Sequence, residues 1–298
     1  MLGQMDTEKT AHNNTMNIIT NAEYGGERPL YRSEGLRIEG VTIHAGESAL
    51  KECRDVEALH CRFEGKYPLW ETQRFSVEHC LFTEDARAAI WYSRGLQMRH
   101  CQVDAPKMFR EMDDMTVEDT LFTNAQETLW MCRGVTLRRV RMEQADYLLM
   151  HSAHIRISDY EHRGNYAFQY CRDMEIRGAV IHSKDAFWNT QDVTVYDSVI
   201  LGEYLGWYSK RLRLVRCRIG ETQPLCYCDD LTLEDCTLDA DADLAFEYST
   251  LQATIHGHVT SVKNPTSGFI RADSIGQIIL DPNQKAPADC RIDITNPS

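Results

Sequence analysis

A repeat of about 20 residues runs through most of the chain and limits its fold more than any other feature. Its pattern is apolar-x-apolar-x-x-small-x-apolar, as in LTLEDCTL (231–238) and LRLVRCRI (212–219). From Leu36 to Leu251 the pattern advances 215 residues in 11 steps, about 19.5 residues each. Apolar residues at alternate positions are typical of short β-strands with one buried face.

A second short segment follows about 14 residues into each repeat, for example AIWYS (89–93) and AFWNT (186–190). Glycine or aspartate often stands near the start of a repeat, as at Gly95, Asp114 and Gly134, and these residues favour turns. No stretch shows helical periodicity over a useful length. Each repeat therefore predicts two or three short strands joined by turns.

Short strands at this period, without helices, predict a parallel β-helix. Propeller blades need about 40 residues, and leucine-rich repeats need their own signature. We expect an all-β, single, right-handed solenoid of about 12 coils of 19–21 residues, because right-handed parallel crossovers dominate. We predict that residues 17–273 form the β-helix, that 274–298 form capping strands, and that 1–16 are disordered.

Four stretches carry a resemblance to known proteins: GERPLYRSEGLRIEG (26–40), GESALKE (46–52), KYPLWE (66–71) and ARAAIWYS (86–93). They resemble an uncharacterised bacterial domain-of-unknown-function family, from about Asn17 onward, and the architecture resembles the pectin-lyase-like β-helices. The resemblance implies the fold and brings no activity. The aspartate-rich calcium site of pectate lyases and the polygalacturonase Asp-Asp, His and Arg-x-Lys set have no match, so their residues are not transferred.

The charge of the chain indicates which classes of binding partner are unfavourable. The chain has 32 basic and 45 acidic residues and a net charge of −13, which disfavours binding to nucleic acid and to anionic membranes.

The sequence also indicates a location. No apolar run approaches the about 18 residues of a membrane-spanning helix, and the N-terminus lacks a secretion signal, so we expect a cytoplasmic protein. Eleven cysteines without such a signal predict free thiols. No phosphate-binding loop or other cofactor motif is found, and no cofactor is predicted.

Two sets of columns predict which side chains face the core. The small position of the repeat, which holds Cys61, Cys80 and Cys101, and the second position of the second segment, which holds Leu69 and Phe187, should face inward. The third and fourth positions of that segment are too polar for a core. We infer that the strand bends between them and that both face solvent. Tyr160 interrupts the small column and predicts a local distortion.

The two outward positions hold an aromatic strip. All five tryptophans occupy the third position, and tyrosines recur at the fourth. We predict that the strip binds an oligosaccharide, because flat rings stack on sugars while neighbouring polar groups bond the hydroxyls. The predicted binding residues are Trp70, Trp91, Tyr92, Arg110, Trp130, His151, Tyr170, Trp188, Trp207 and Tyr208. A self-supporting aromatic ladder and a protein interface, including a homo-oligomer interface, are the alternatives.

Carboxylates cluster at one end of the strip. Glu52 and Glu71 lie on adjacent coils about 5 Å apart, and Glu111 lies about 10 Å beyond Glu71. These spacings reach those of glycosidase acid pairs, and mutual repulsion should raise one pKa. The three are the candidate catalytic residues. Lys51, Lys107 and Arg110 would neutralise this cluster or hold an acidic sugar, and a salt-bridge ladder is the alternative to catalysis.

Three histidines, His60, His79 and His100, precede the inward cysteines on successive coils and predict an outward imidazole ladder. They are the residues that would hold a divalent metal on this face. We predict no metal site, because three ligands on one flat face make poor tetrahedral geometry.

The sequence does not determine the function. The interpretation it favours is a carbohydrate-binding or carbohydrate-active β-helix of glycoside hydrolase or lyase type. The alternative is a non-enzymatic binding or assembly module.

Overall fold

The computed structural model of the chain describes residues 16–283 and 289–295, and every regular element in that part is a β-strand. The strands form a right-handed parallel β-helix of about 14 turns. Successive coils are in parallel register: Leu36 pairs with Val56, Val56 with Phe75, and Phe75 with Leu96. The predicted all-β solenoid is confirmed.

The strands are short and follow one another around each coil. In chain order they are β1 Asn17–Thr20, β2 Glu23–Glu27, β3 Glu34–Glu39, β4 Thr42–Glu47, β5 Arg54–Leu59, β6 Arg62–Phe63, β7 Gln73–Glu78, β8 Leu81–Phe82, β9 Ile90–Trp91, β10 Arg94–Arg99, β11 Gln102–Val103, β12 Phe109–Arg110, β13 Asp113–Glu118, β14 Leu121–Phe122, β15 Arg133–Met142, β16 Ala153–Arg163, β17 Arg172–His182, β18 Gln191–Tyr196, β19 Val199–Leu201, β20 Lys210–Val215, β21 Arg218–Gly220, β22 Leu231–Leu238, β23 Thr250–Lys263, β24 Ser267–Ile279 and β25 Asp289–Ile294.

The coils add rungs beyond those that the repeat pattern marks. β1 pairs with β3, so residues 17–20 form a rung before Leu36. After Leu251, β24 pairs in parallel with β23, and β25 pairs in parallel with β24. The predicted capping strands thus continue the ladder. Residues 1–15 of the predicted disordered segment lie outside the described residues, as do 284–288 and 296–298.

Left-handed backbone conformations form the corners of each coil. In the third coil φ is +52° at His60, +56° at Glu71 and +51° at Arg74. The fourth position of the second segment repeats this conformation from coil to coil, with φ of +56° at Tyr92 and +60° at Tyr208. The bend therefore lies where the alternation of side chains predicts it.

The core consists of stacked columns. Cys61, Cys80 and Cys101 are at most 5% exposed, and Leu69 and Phe187 are fully buried. All eleven cysteines are free, and all but Cys290 are buried. Burial raises the pKa of Cys132 and of Cys171 to about 12, so these thiols are unreactive packing groups. The prediction of inward columns and free thiols is confirmed.

Tyr160 is accommodated without a break in register. It pairs with Val140 on one side and Ala179 on the other. Its hydroxyl lies 3.1 Å from Nδ1 of His162, whose Nε2 lies 2.9 Å from the Gly164 carbonyl oxygen. The predicted local distortion is therefore wrong at the level of strand pairing, because the large side chain fits in the core and pairs there with His162.

Within residues 16–283 and 289–295 no helix is long and apolar enough to cross a membrane.

Candidate functional site

The two outward positions of the second segment differ in exposure. Side chains at the third position, including Trp70, Trp91 and Trp130, are half-buried, whereas Tyr92 and Tyr208 at the fourth position are each 44% exposed. The bend explains the difference, because it turns the fourth residue away from the body of the coil. The strip is therefore a half-buried row of tryptophans beside an exposed row of tyrosines and polar residues.

The third position turns inward near the C-terminal end, contrary to the prediction. Cys226 is fully buried and Glu247 is only 9% exposed. The following coil is short, and Lys263 extends over this place, with its ammonium 2.9 Å from a Glu247 carboxylate oxygen. The ion pair compensates for burial of the charge.

The tryptophans stack on one another in two blocks. In the first block the ring centroids of Trp70 and Trp91 are 5.1 Å apart, and the Arg110 guanidinium lies 4.2 Å from the Trp91 ring and 4.8 Å from the Trp130 ring. In the second, Trp188 and Trp207 are 5.7 Å apart. Neighbours in the stack cover most ring faces, so sugars have access mainly to ring edges and to the ends of each block.

Backbone carbonyls hold three of the indoles in place. The Nε1 atom of Trp91 donates to Lys107 O at 2.7 Å, that of Trp130 to Tyr147 O at 2.6 Å, and that of Trp207 to Gln223 O at 2.8 Å. Each bond reaches the coil that follows. The tryptophan row is thus a structural ladder between coils, the alternative that the sequence left open, and it forms the rigid base of the strip.

The exposed rings are partly covered. Tyr170 stacks on His151 at 4.6 Å, and Tyr208 stacks on Tyr227 at 5.0 Å. Tyr92 instead meets Trp70 and Trp91 at steep angles of 61° and 85°. These edge-to-face contacts fix the Tyr92 ring without a stacked partner on it, and they leave its face available to a ligand.

The Tyr92 ring borders an open groove of about 550 Å³ at the corner between the second segment and the main sheet. Its lining is polar and contains two of the candidate catalytic carboxylates. The lining residues are Arg32, Ser33, Glu34, Glu52, Arg54, Glu71, Gln73 and Tyr92. The structure therefore brings Glu52, Glu71 and Tyr92 together, whereas Glu111 lies outside this groove.

Cations surround the two carboxylates. Arg32 Nε donates to Glu52 at 2.8 Å, and the Tyr31 hydroxyl donates to the same oxygen at 3.0 Å. The Lys51 ammonium lies 3.7 Å from Glu52 and 4.0 Å from Glu71, so the two bridged oxygens are at most about 8 Å apart, which does not exceed the spacing of inverting glycosidase pairs. The hydrogen bond from Arg32 lowers the pKa of Glu52 and keeps this carboxylate ionised. Repulsion therefore does not make Glu52 a proton donor.

The histidine ladder forms as predicted. Ring centroids are 4.9 Å apart between His60 and His79 and between His79 and His100, and the planes lie within 13° of parallel. The rings meet through their faces and not through convergent nitrogen lone pairs. In the part of the chain that the structure describes, no group of three or more His, Cys, Asp or Glu side chains could hold a metal ion.

Sequence reasoning missed the arginines of the groove. Arg32 precedes Glu52 in the same fourth-position column, and Arg54 lies two residues beyond Glu52, at the first residue of the next strand. Reading the columns on both sides of the bend together would have placed both beside the carboxylates.

The chain matches a family model described as "Protein of unknown function (DUF3737)" over residues 17–293. It belongs to this family. No curated protein matches the DUF3737 chain. Among solved structures it is similar to a tailspike protein mutant of E. coli bacteriophage HK620 in complex with a pentasaccharide, with a TM-score of 0.51, 11% identity, and coverage of 92% of this chain and 72% of that chain.

Two further structures are similar at lower scores. The surface adhesin PfbA of Streptococcus pneumoniae has a TM-score of 0.44 and 9% identity, with coverage of 96% of this chain and 85% of that one. The periplasmic alginate epimerase AlgG has a TM-score of 0.38 and 10% identity, with coverage of 93% and 76%. At these identities the tailspike similarity supports the β-helix fold of the DUF3737 chain.

Proposed function

We propose that this DUF3737 protein binds an oligosaccharide in the groove beside Tyr92. The observation that carries the proposal is the combination of one available aromatic face with a polar groove of about 550 Å³. Sugars present both an apolar ring face and many hydroxyls, and a site for them needs both kinds of surface. The HK620 tailspike of similar fold is described in complex with a pentasaccharide, which is consistent with this use of the fold.

The groove supplies hydrogen-bonding groups of both kinds. Arg54 and Gln73 supply donors, and Glu52 and Glu71 supply acceptors. Because Glu52 is held ionised by Arg32, it suits the role of an acceptor for sugar hydroxyls. The Lys51 ammonium lies within 4.0 Å of both carboxylates, and the two acidic groups border the groove on adjacent coils.

The experiment is a glycan screen read by tryptophan fluorescence, with titration calorimetry of the ligands found. Tyr92→Ala is expected to weaken binding at least tenfold, because it removes the ring on which the sugar stacks. Tyr208→Ala is the matched control, since Tyr208 is equally exposed in the same column but lies away from the groove. Equal losses in both variants would assign binding to the whole strip, and no binding of any glycan to the wild type would refute the proposal.

Hydrolysis is tested on the ligand that binds. If Glu71 acts as acid or base, Glu71→Gln should abolish product formation while it changes the binding constant by less than tenfold. Product formation that survives Glu71→Gln would remove Glu71 from the chemistry.

A second candidate function is a protein interface, favoured by exposed apolar side chains in the strip and beside it, outside the groove. Met131, Tyr147 and Tyr170 are each at least 40% exposed. Such a surface suits a second copy of the chain. Light scattering on the wild type and on Tyr170→Ser decides this, because an interface requires an oligomer that the substitution weakens.

A further inference from the structure

Arg110 is the residue of the aromatic strip whose bonding is incomplete. Its Nε is the one buried side-chain nitrogen or oxygen without a hydrogen-bond partner in residues 16–283 and 289–295. Its terminal Nη atoms form no hydrogen bond or ion pair with the described residues and are not sealed from solvent. A buried N–H donor without an acceptor is costly, and the solvent-facing Nη atoms carry four further donors that no protein group uses.

Nearby acids do not provide that partner. Glu127 is bound to Lys107 at 2.9 Å, and Glu111, the next residue, lies beyond the corner with φ of +49°. Arg32 of the strip is paired with Glu52, and arginines without an ion pair among the described residues, such as Arg54 and Arg94, are exposed to solvent, whereas Arg110 is half-buried. Arg110 is therefore a cation that the fold holds in place without pairing it with a carboxylate.

The position is fixed on both sides. The guanidinium carbon lies 4.2 Å from the Trp91 ring centre and 4.8 Å from that of Trp130. Both indoles are in turn tied to backbone carbonyls. Aromatic faces hold a cation without using its N–H donors, so the sandwich orients the group and leaves its outer donors free.

Arg110 also adjoins the groove. The Tyr92 amide donates to the Arg110 carbonyl oxygen at 3.0 Å, so Arg110 lies on the coil directly beyond Tyr92. One coil advances about 5 Å, so an acidic group on a sugar at Tyr92, or on its neighbour, would reach the guanidinium.

We propose that Arg110 binds the carboxylate of an acidic sugar, and that the ligand of the groove is a uronate-containing oligosaccharide. This inference rests on the proposed function. A carboxylate accepts two parallel N–H bonds from the solvent-facing Nη atoms, which gives the fixed guanidinium its counter-ion and selects acidic over neutral sugars.

The test compares matched acidic and neutral sugars: a β-1,4-linked glucuronate tetramer against cellotetraose, and the galacturonate and mannuronate tetramers against their neutral counterparts. Calorimetry should show at least tenfold tighter binding of the acidic member to the wild type. Arg110→Gln should abolish this preference, so that the acidic and the neutral member of each pair bind the variant with equal affinity. Arg110→Lys, which keeps the charge but loses the planar fork, should show a preference between those of the wild type and Arg110→Gln.

Arg138→Gln is the control, because it removes an exposed arginine of the main sheet that is bound to Glu118. Melting curves of all variants establish that they are folded, and Arg110→Lys serves if Arg110→Gln is not. Equal binding of acidic and neutral sugars by the wild type would overturn the role of Arg110 and leave the proposed function standing. Failure of the wild type to bind either class would overturn the proposed function and this inference with it.

Discussion

The buried pair of Tyr160 and His162 predicts a specific loss of stability in acid. The His162 Nε2 must donate to the Gly164 carbonyl, because a carbonyl only accepts, so Nδ1 carries the lone pair that accepts the Tyr160 hydroxyl. Protonation of Nδ1 would place a charge in the core and turn that acceptor into a second donor facing a hydroxyl. Burial accordingly lowers the pKa of His162 to about 4.

The magnitude follows from proton linkage. In the unfolded chain the imidazole has its ordinary pKa of about 6.5. Below that pH the unfolded state therefore binds a proton that the folded state does not bind, and the unfolded state is stabilised relative to the folded one. This contribution to stability is fully present above pH 6.5 and is lost as the pH falls toward 4. Between pH 7.5 and 4.5 the loss amounts to about 2.5 kcal/mol.

The assay is urea unfolding of the wild type and of His162→Gln across this pH range, followed by tryptophan fluorescence. Glutamine keeps an acceptor and a donor but does not titrate. The stability advantage of the wild type over His162→Gln should therefore shrink by about 2.5 kcal/mol from pH 7.5 to 4.5. Carboxylates common to both proteins cancel in the comparison.

Ile181→Val provides the control, because Ile181 pairs with His162 in the same core column and its truncation costs about 1 kcal/mol at every pH. If the difference in free energy of unfolding between wild type and His162→Gln stays constant with pH, or grows in acid, the assignment of a neutral buried histidine is refuted.

Three further predictions concern the ladder, the coil spacing and the thiols. Trp130→Ala should lower the free energy of unfolding by about 2 kcal/mol in urea unfolding, because it removes a half-buried ring and its hydrogen bond to the Tyr147 carbonyl. The Tyr170 ring forms no such bond, so Tyr170→Ala should lower the free energy of unfolding by less than half as much. Gly164→Ala should abolish soluble folded protein, judged by circular dichroism, because its added methyl carbon would clash with the backbone of Ala145 on the adjacent coil. Gly26→Ala is strained by the φ of +81° at Gly26 but meets no neighbouring atom, and it should fold. A thiol reagent should modify at most Cys290 in the native protein and all eleven cysteines in denaturant, and fast native reaction of several thiols would contradict the buried columns.

Much of the fold was predictable because a solenoid repeats its environment. The columns of Cys61 and Leu69 follow from residue type alone, since every coil presents the same position to the same core. The alternation around Trp91 and Tyr92 also located the bend, because two adjacent outward residues require one. The period and the alternation of residues carry this information without any knowledge of long-range contacts.

The remaining features depend on what lies on the next coil. The burial of Glu247 follows from a short coil that brings Lys263 above it, and the repeat pattern does not contain that shortening. Whether a tryptophan offers its face to a ligand depends on the ring or guanidinium stacked against it, as Arg110 shows. The partnership of Tyr160 with His162 had a sequence signal, two polar aromatic residues at inward positions of one strand, which only their proximity makes meaningful.

The left-handed corner beside the groove has an evolutionary consequence. Its backbone conformation is the same at Glu71, Tyr92, Met131 and Asn189, with φ between +53° and +56°. An acid, an aromatic ring, a thioether and an amide therefore occupy one backbone geometry without altering it. Selection can consequently rewrite the surface one coil at a time, and a lineage can acquire a new ligand preference by single substitutions that leave the scaffold intact.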